Sequence, residues 1–282
     1  KNVKIIDASE FETYEITDPK KTICVVLSQS GETKDVHRCM IKIKSLNIPI
    51  IGIVNSVGSL IARESDCGIY LNAGREVSVA STKSFVCQQI ALTLMTLWFH
   101  QTSNSFDVFI KDTIKELQFI SSHVENALMN IEKLKEIAKQ LVQHNSCFLL
   151  GKNIFEPIAK EGALKLKEIG YIHAEAFAGG SLKHGPFSLI EQGTPIFLFI
   201  MDDIYKDFMI STLEEVKSRG ANIIVISNMN LKVKNLIKIP KLNNLGSILS
   251  IFPIQIIAYE MALLKGHNPD YPRNLAKVVT VD

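Results

Sequence analysis

The chain has 282 residues, of which 46% are apolar and 21% charged, and its formal net charge is +2. That balance describes one large or two ordinary folded domains and excludes a disordered chain. It leaves no broad basic surface for nucleic acid. No apolar run reaches a membrane span, since Gln255 and Glu260 interrupt the best candidate, 248–264. The first residues are charged, so no signal peptide is read, and a cytoplasmic protein is expected. Numbering from Lys1 rather than a methionine fits a fragment, a processed product or an excised domain. The cysteines, Cys24, Cys39, Cys67, Cys87 and Cys147, are odd in number and form no CxxC pair. They read as reduced structural thiols, and no metal site is expected.

In chain order, the strand candidates are VKII (3–6), TICVVL (22–27), PIIGIV (49–54), CGIYL (67–71), SCFLL (146–150), PIFLFI (195–200) and NIIVIS (222–227). Continuous apolar runs of this length suit strands buried on both faces of a parallel sheet. Amphipathic segments alternate with them. Residues 32–46 place Val36, Met40 and Ile43 on one stripe, and 207–220 end on Gly220 as a C-cap. Residues 106–143 show few turn signals and are read as two linked helices, while 248–264 is read as a buried helix. Strands alternating with helices predict an α/β fold. The pattern is doubled: each half has a strand ending in a small-residue loop and, later, a glycine- and serine-rich turn.

The loop LSQSGET (27–33) closes the strand run at 22–27 and opens a helix. Parallel sheets bind ligands at the carboxyl ends of their strands. Gly31 permits a tight turn, and the following helix offers amide donors and a positive dipole end. Ser28, Gln29, Ser30 and Thr33 add neutral donors, so the loop suits a phosphate held without a cation. The competing reading makes Ser30 or Thr33 a plain N-cap. The turn SVASTKSF (78–85) is similarly double: its hydroxyls suit capping the next helix and equally suit sugar hydroxyls.

In EGALKLKEIGYIH (161–173), Lys165 lies four residues from Glu161 and three from Glu168, which puts all three on one helix face. Two readings stand, a solvated ion-pair face and a general base with a raised pKa among apolar neighbours. His184, in the loop GGSLKHGPF, reads as a surface group or as an acid–base residue. Lys277, near the C-terminus in PRNLAKVVTVD, reads as a solvated lysine or as an amine for imine chemistry.

Taken together, LSQSGET, ESDCGIYLNAGREVSVASTKSF, EGALKLKEIGYIHAEAFAGGSLKHGP and PRNLAKVVTVD resemble the sugar isomerase (SIS) region of the glutamine–fructose-6-phosphate aminotransferase family, across nearly the whole chain and in the family's order. The resemblance implies two tandem SIS domains, each a parallel sheet flanked by helices in the flavodoxin or Rossmann manner, at 1–106 and 139–270. Linking helices would occupy 107–138 and a catalytic tail 271–282. It implies fructose 6-phosphate as substrate and glucosamine 6-phosphate as product, with no cofactor. Ser28, Gln29, Ser30 and Thr33 would bind phosphate, and Val79, Ala80 and Ser81 would line the sugar. Glu168 would move the proton between C1 and C2 beside Lys165, and Lys277 would form the imine. His184 would assist ring opening from the neighbouring subunit of a homodimer. The family's glutaminase domain, and the strand, CGTS-type loop and helix that open its first SIS domain, have no match here. Ammonia is therefore expected from outside this chain. Ser181 stands where the family usually carries glutamate. The alternatives are an SIS module that binds sugar phosphate without chemistry, or a related deglycase.

Overall fold

A computed structural model describes residues 2–103 and 107–276. The chain divides into two compact units, Lys1–Ser103 with Arg273–Asp282, and Asn104–Pro272.

The first unit is built on a three-stranded parallel sheet of β1 (Cys24–Ser28), β2 (Ile50–Val54) and β3 (Cys67–Tyr70), in that order. Helix α1 (Lys34–Ser45) returns the chain from β1 to β2. Its stripe packs as its spacing requires: Met40 and Ile43 are fully buried against Val26, Ile50, Val54 and Ile61, and Val36 packs at the edge of that cluster. Lys42 and Lys44 sit in its last turn, where cations complement the helix dipole. The short helix α2 (Leu60–Glu64) connects β2 to β3, and the long apolar helix α3 (Lys83–Ser103) follows β3.

Residues 3–6 form no strand, contrary to their composition. Val3 is 86% and Ile5 93% exposed. A β-rich tetrapeptide becomes a strand only when a neighbour supplies its ladder, and these residues pair with neither β1 nor β3.

The second unit opens with three helices rather than the expected two: α4 (Val108–Gln118), α5 (Ile120–Leu128) and α6 (Ile131–Leu141). The breaks fall at Phe119 (φ −108°, ψ 9°) and Asn130 (φ −97°, ψ 37°), neither of which is helical. Helix α6 buries Leu134, Ile137, Ala138 and Leu141, the i, i+3, i+4, i+7 pattern of a core-facing stripe.

Five parallel strands follow: β4 (Ser146–Gly151), β5 (His173–Ala178), β6 (Pro195–Phe199), β7 (Asn222–Ser227) and β8 (Asn235–Lys238). Their order is β5-β4-β6-β7-β8. Central β6 is buried at every position, as its continuous apolar run predicts. Helix α7 (Phe155–Glu168) crosses from β4 to β5, and α8 (Lys206–Lys217) from β6 to β7. Helix α9 (Gly246–Leu264) is long and apolar enough to span a membrane by length and composition, yet 61% of its apolar window is buried inside the protein, with Ile251, Ile254, Ile257 and Met261 fully enclosed. It is a core helix.

The cysteines are all free thiols. Burial pushes Cys147 up to about 12 and, with nearby Cys39 adding to the effect, Cys24 up to about 11. Both therefore stay protonated and pack as small apolar groups.

Candidate functional site

In the first unit, the residues expected to hold an anion gather at the carboxyl end of β1. Ser28, 5% exposed, ends the strand with its hydroxyl inside the turn. Its Oγ lies 2.8 Å from Thr33 Oγ1 and accepts the Gly31 amide at 3.0 Å. Ser30 Oγ accepts the Glu32 amide at 3.2 Å. The Gln29 carbonyl accepts the Asn55 amide, tying this loop to the end of β2. Thr33 holds the N-cap position of α1 but gives the helix no side-chain hydrogen bond. The plain N-cap reading therefore fails for Thr33, whose hydroxyl turns back to Ser28.

Gly31 is required here on two counts. Its φ is +67°, and a Cβ would stand 1.9 Å from Ser59 Oγ. Ser59 is 6% exposed, and its hydroxyl has no hydrogen-bond partner among the described residues. The loop's one carboxylate, Glu32, accepts the Leu60 amide at 2.9 Å. It is thus occupied at the start of α2.

The turn at 78–82 is fixed by a residue that the motif did not flag. Glu76 is 7% exposed and accepts the Ser84 amide at 2.9 Å, the Ser84 hydroxyl at 2.6 Å and the Thr82 hydroxyl at 3.0 Å. Ser84 in turn touches Ser81 hydroxyl to hydroxyl. Ala80 is fully buried, while Val79 and Ser81 remain partly accessible. Asn55 also escaped the sequence reading. Its side chain accepts from the Ala73 amide at 3.0 Å and donates to the Gly74 carbonyl at 2.8 Å, joining the loops after β2 and β3.

In the second unit, the last two turns of α7 hold a buried charge cluster. Lys165 is 2% exposed, and its Nζ donates to Glu168 Oε2 at 2.6 Å. It also lies 3.4 Å from Glu161 Oε1, an ion contact outside hydrogen-bond geometry. The solvated-face reading fails on that burial. Desolvation raises the Glu161 carboxyl above its ordinary range, with Glu168 adding to the rise and Lys165 opposing it. The sequence spacing pairs Glu161 with Lys165 but does not show how deeply it is buried.

His184 ends an exposed 3-10 turn (Ser181–His184) anchored by the fully buried Leu182, and Gly185 follows at φ +139°. Ser181 is exposed. Glu168 precedes the amino end of β5 and His184 follows its carboxyl end. One six-residue strand separates them, on the order of 20 Å, so this unit does not bring these two residues together by itself. Lys277 lies outside the described residues.

A groove of about 320 Å³ in the second unit is lined by His144, His173, Glu175 and Glu191 among others, at the amino ends of β4, β5 and β6. It holds none of the candidate site residues. Among the described residues, no three His, Cys, Asp or Glu side chains gather to hold a metal ion.

Comparison with known proteins gives this geometry a family. Residues 3–97 and 140–265 match the SIS domain model. A probable glutamine–fructose-6-phosphate aminotransferase of Acanthamoeba polyphaga mimivirus is 42% identical over 99% of this chain and 46% of its own length. The Clostridium acetobutylicum enzyme of that name is 41% identical over 99% of this chain and 47% of its own. The chain thus spans about half the length of these relatives. Among solved structures, the C-terminal domain of glucosamine-fructose-6-phosphate aminotransferase from Francisella tularensis superposes with a TM-score of 0.83 at 35% identity, covering 88% of this chain and 72% of that one. A Thermotoga maritima protein described as glucosamine-6-phosphate deaminase gives 0.69 at 26% identity, covering 96% and 80%. The chain belongs to the SIS-domain family, in the group formed by the C-terminal region of glutamine–fructose-6-phosphate aminotransferase.

Proposed function

We propose that this chain converts fructose 6-phosphate and ammonia to glucosamine 6-phosphate. The observation that carries the reading is the enclosed Glu161–Lys165–Glu168 cluster. A module that only binds a sugar phosphate has no use for three ionisable groups on one buried helix face, each costing desolvation.

The phosphate docks among Ser28, Gln29, Ser30 and Thr33. Neutral donors and backbone amides hold a dianion firmly enough to orient it and let the product leave. Val79, Ala80 and Ser81 line the sugar. His184, supplied by a second copy of the chain, transfers the protons that open the ring. Its distance from Glu168 within one unit supports that assignment. The Lys277 amine adds to the C2 carbonyl, water leaves, and an imine forms. Ammonia displaces the lysine, leaving an imine of the open-chain sugar. Glu168 then takes the C1 proton to give the enolamine and returns a proton to C2. The C1 hydroxyl gives up its own proton, which balances the one taken up by the imine nitrogen as the enolamine forms, and C1 becomes the aldehyde. Lys165 fixes the Glu168 carboxylate during this transfer.

Fructose 6-phosphate deuterated at C1, incubated with the chain and ammonium and followed by NMR, tests the reading. Loss of deuterium with appearance of glucosamine 6-phosphate is expected, and Glu168→Gln slows it at least a hundredfold. Borohydride should trap the sugar on Lys277. Binding of the sugar with neither exchange nor trapping replaces this reading with that of a sugar-phosphate-binding module. The Thermotoga maritima relative's description names a deamination, the same proton transfer run towards ammonia release, so the assay is read in both directions.

A further inference from the structure

We infer that Glu76 is a positioning residue that sets the polarity of a hydroxyl chain ending at Ser81, so that Ser81 meets the bound sugar only as a hydrogen-bond acceptor. The inference rests on the proposed reading in which Val79, Ala80 and Ser81 line the sugar. It adds the direction of recognition at that turn.

The direction follows from a count of protons. Glu76 Oε2 accepts two donors from one residue, the Ser84 amide at 2.9 Å and the Ser84 hydroxyl at 2.6 Å. Oε1 accepts the Thr82 hydroxyl at 3.0 Å. A carboxylate is acceptor-only, so each of these groups points its proton at Glu76. A serine hydroxyl has one proton. Ser84, fully buried, has spent its proton on Glu76 and can only accept from Ser81. Ser81 has thereby spent its own. What the oxygen of this partly accessible residue still offers is lone pairs. A ligand hydroxyl that donates is matched, and a group that only accepts is opposed. Because the chain starts from a carboxylate 7% exposed at the head of α3, the polarity is built in before ligand arrives. A buried glutamate serving only as a helix cap would need Ser84's amide alone.

The test uses the full chain, fructose 6-phosphate, and analogues in which one hydroxyl at a time is replaced by fluorine, which accepts but cannot donate. With the parent protein, one analogue should bind about three- to tenfold more weakly than fructose 6-phosphate, the size of one neutral hydrogen bond. In Ser84→Ala, Ser81 regains free rotation, and that penalty should fall to within about twofold. In Glu76→Gln, the Ser84 amide still demands an acceptor. The new amide therefore turns its carbonyl to Ser84, the polarity survives, and the penalty persists. In Ser81→Ala, a change at a partly exposed site, fructose 6-phosphate should weaken to the level of the discriminated analogue. A purely structural role for Glu76 would shift all ligands alike. The inference is overturned if no fluorine penalty depends on Ser84, or if the fluorinated analogue binds the parent protein as well as fructose 6-phosphate does. Failure of fructose 6-phosphate to bind the parent protein overturns the functional reading and this inference with it.

Discussion

The two units solve opposite electrostatic problems. In the first, the loop proposed to hold the phosphate is assembled from hydroxyls and amides, and its one carboxylate, Glu32, is engaged at the start of α2. In the second, Lys165 is enclosed between two carboxylates on a single helix. Neutral donors suit a group that must be held and released, whereas buried charge suits a group whose protonation is part of the work. The units nevertheless share one device. Helix α3 begins on Glu76, and α9 begins beside Glu116, whose carboxylate accepts the amides of Asn243, Asn244 and Leu245 at 2.7, 3.0 and 3.0 Å. Each long apolar helix has its amino end met by a carboxylate from elsewhere in its own unit, on the Ser84 amide inside α3 and on three amides just before α9, where negative charge complements the helix dipole.

The contrast is broken most sharply at Lys165. Lys165→Met keeps the volume and removes the charge, leaving Glu161 and Glu168 as buried like charges. We expect a loss of about 3–5 kcal/mol, the cost of an uncompensated buried charge, read by urea denaturation, together with loss of C1 exchange. Adding Glu161→Gln and Glu168→Gln should recover most of the stability and none of the activity. A single Lys165→Met as stable as the parent would show that the cluster is not electrostatically coupled.

The counterpart in the first unit is Gly31→Ala. The left-handed φ costs a non-glycine residue about 1–2 kcal/mol, and the Cβ must displace Ser59. Because the strain falls on the loop, phosphate affinity should drop at least tenfold while the melting temperature moves by only a few degrees. Gly31→Ala with Ser59→Gly relieves the contact but not the dihedral, so partial recovery is expected. Equal affinity in both variants and the parent would mean that the loop tolerates another conformation.

How much of this was legible follows from how local each signal is. The strands β1, β2, β4, β6 and β7 announce themselves as apolar runs, and α1 does so by its stripe. Edge strands β5 and β8 were missed, because HAEAFA and NLIK carry polar residues that a half-buried edge accepts and a period-two or continuous pattern does not reveal. Residues 3–6 failed in the other direction: the composition was right for a strand, and the ladder was lacking. At the site, Ser28 and Gly31 were readable because their chemistry is packed into seven residues. Glu161 was half readable, since spacing shows the pairing with Lys165 and only packing shows the burial. Glu76, Ser59 and Asn55 act on turns that lie 8, 28 and 18 residues away in sequence. No short motif encodes such reach.

A third variant tests the shared device. Glu116→Ala removes the acceptor of three amides before α9 and should cost about 2 kcal/mol, in the range of hydrogen bonds to a charged group. Glu116→Gln, which keeps one acceptor, should cost less. Hydrogen exchange at 243–245 localises the change, and unaltered protection there would show that water replaces the carboxylate at no cost.

The smallest expected effect is also the most specific to the second unit. Glu161 has its folded-state pKa raised, chiefly by burial. The native protein therefore binds a proton that the unfolded chain has already released, across the interval from the ordinary glutamate value up to the raised one. With more protons on the native side, stability falls as pH rises through that window, and the contribution of protonated Glu161 is fully present only below it. The cluster's own charges explain the sign: Lys165 can neutralise one carboxylate, Glu168 holds it at hydrogen-bond distance, and the second carboxylate is better tolerated as the acid. Glu161→Gln keeps the shape and removes the titration. Its melting temperature should match the parent's at the acid end of the window and exceed it at the neutral end, so the two curves diverge with rising pH. Curves that stay parallel would assign the pH dependence to other carboxylates and leave Glu161 ionised beside Lys165 throughout.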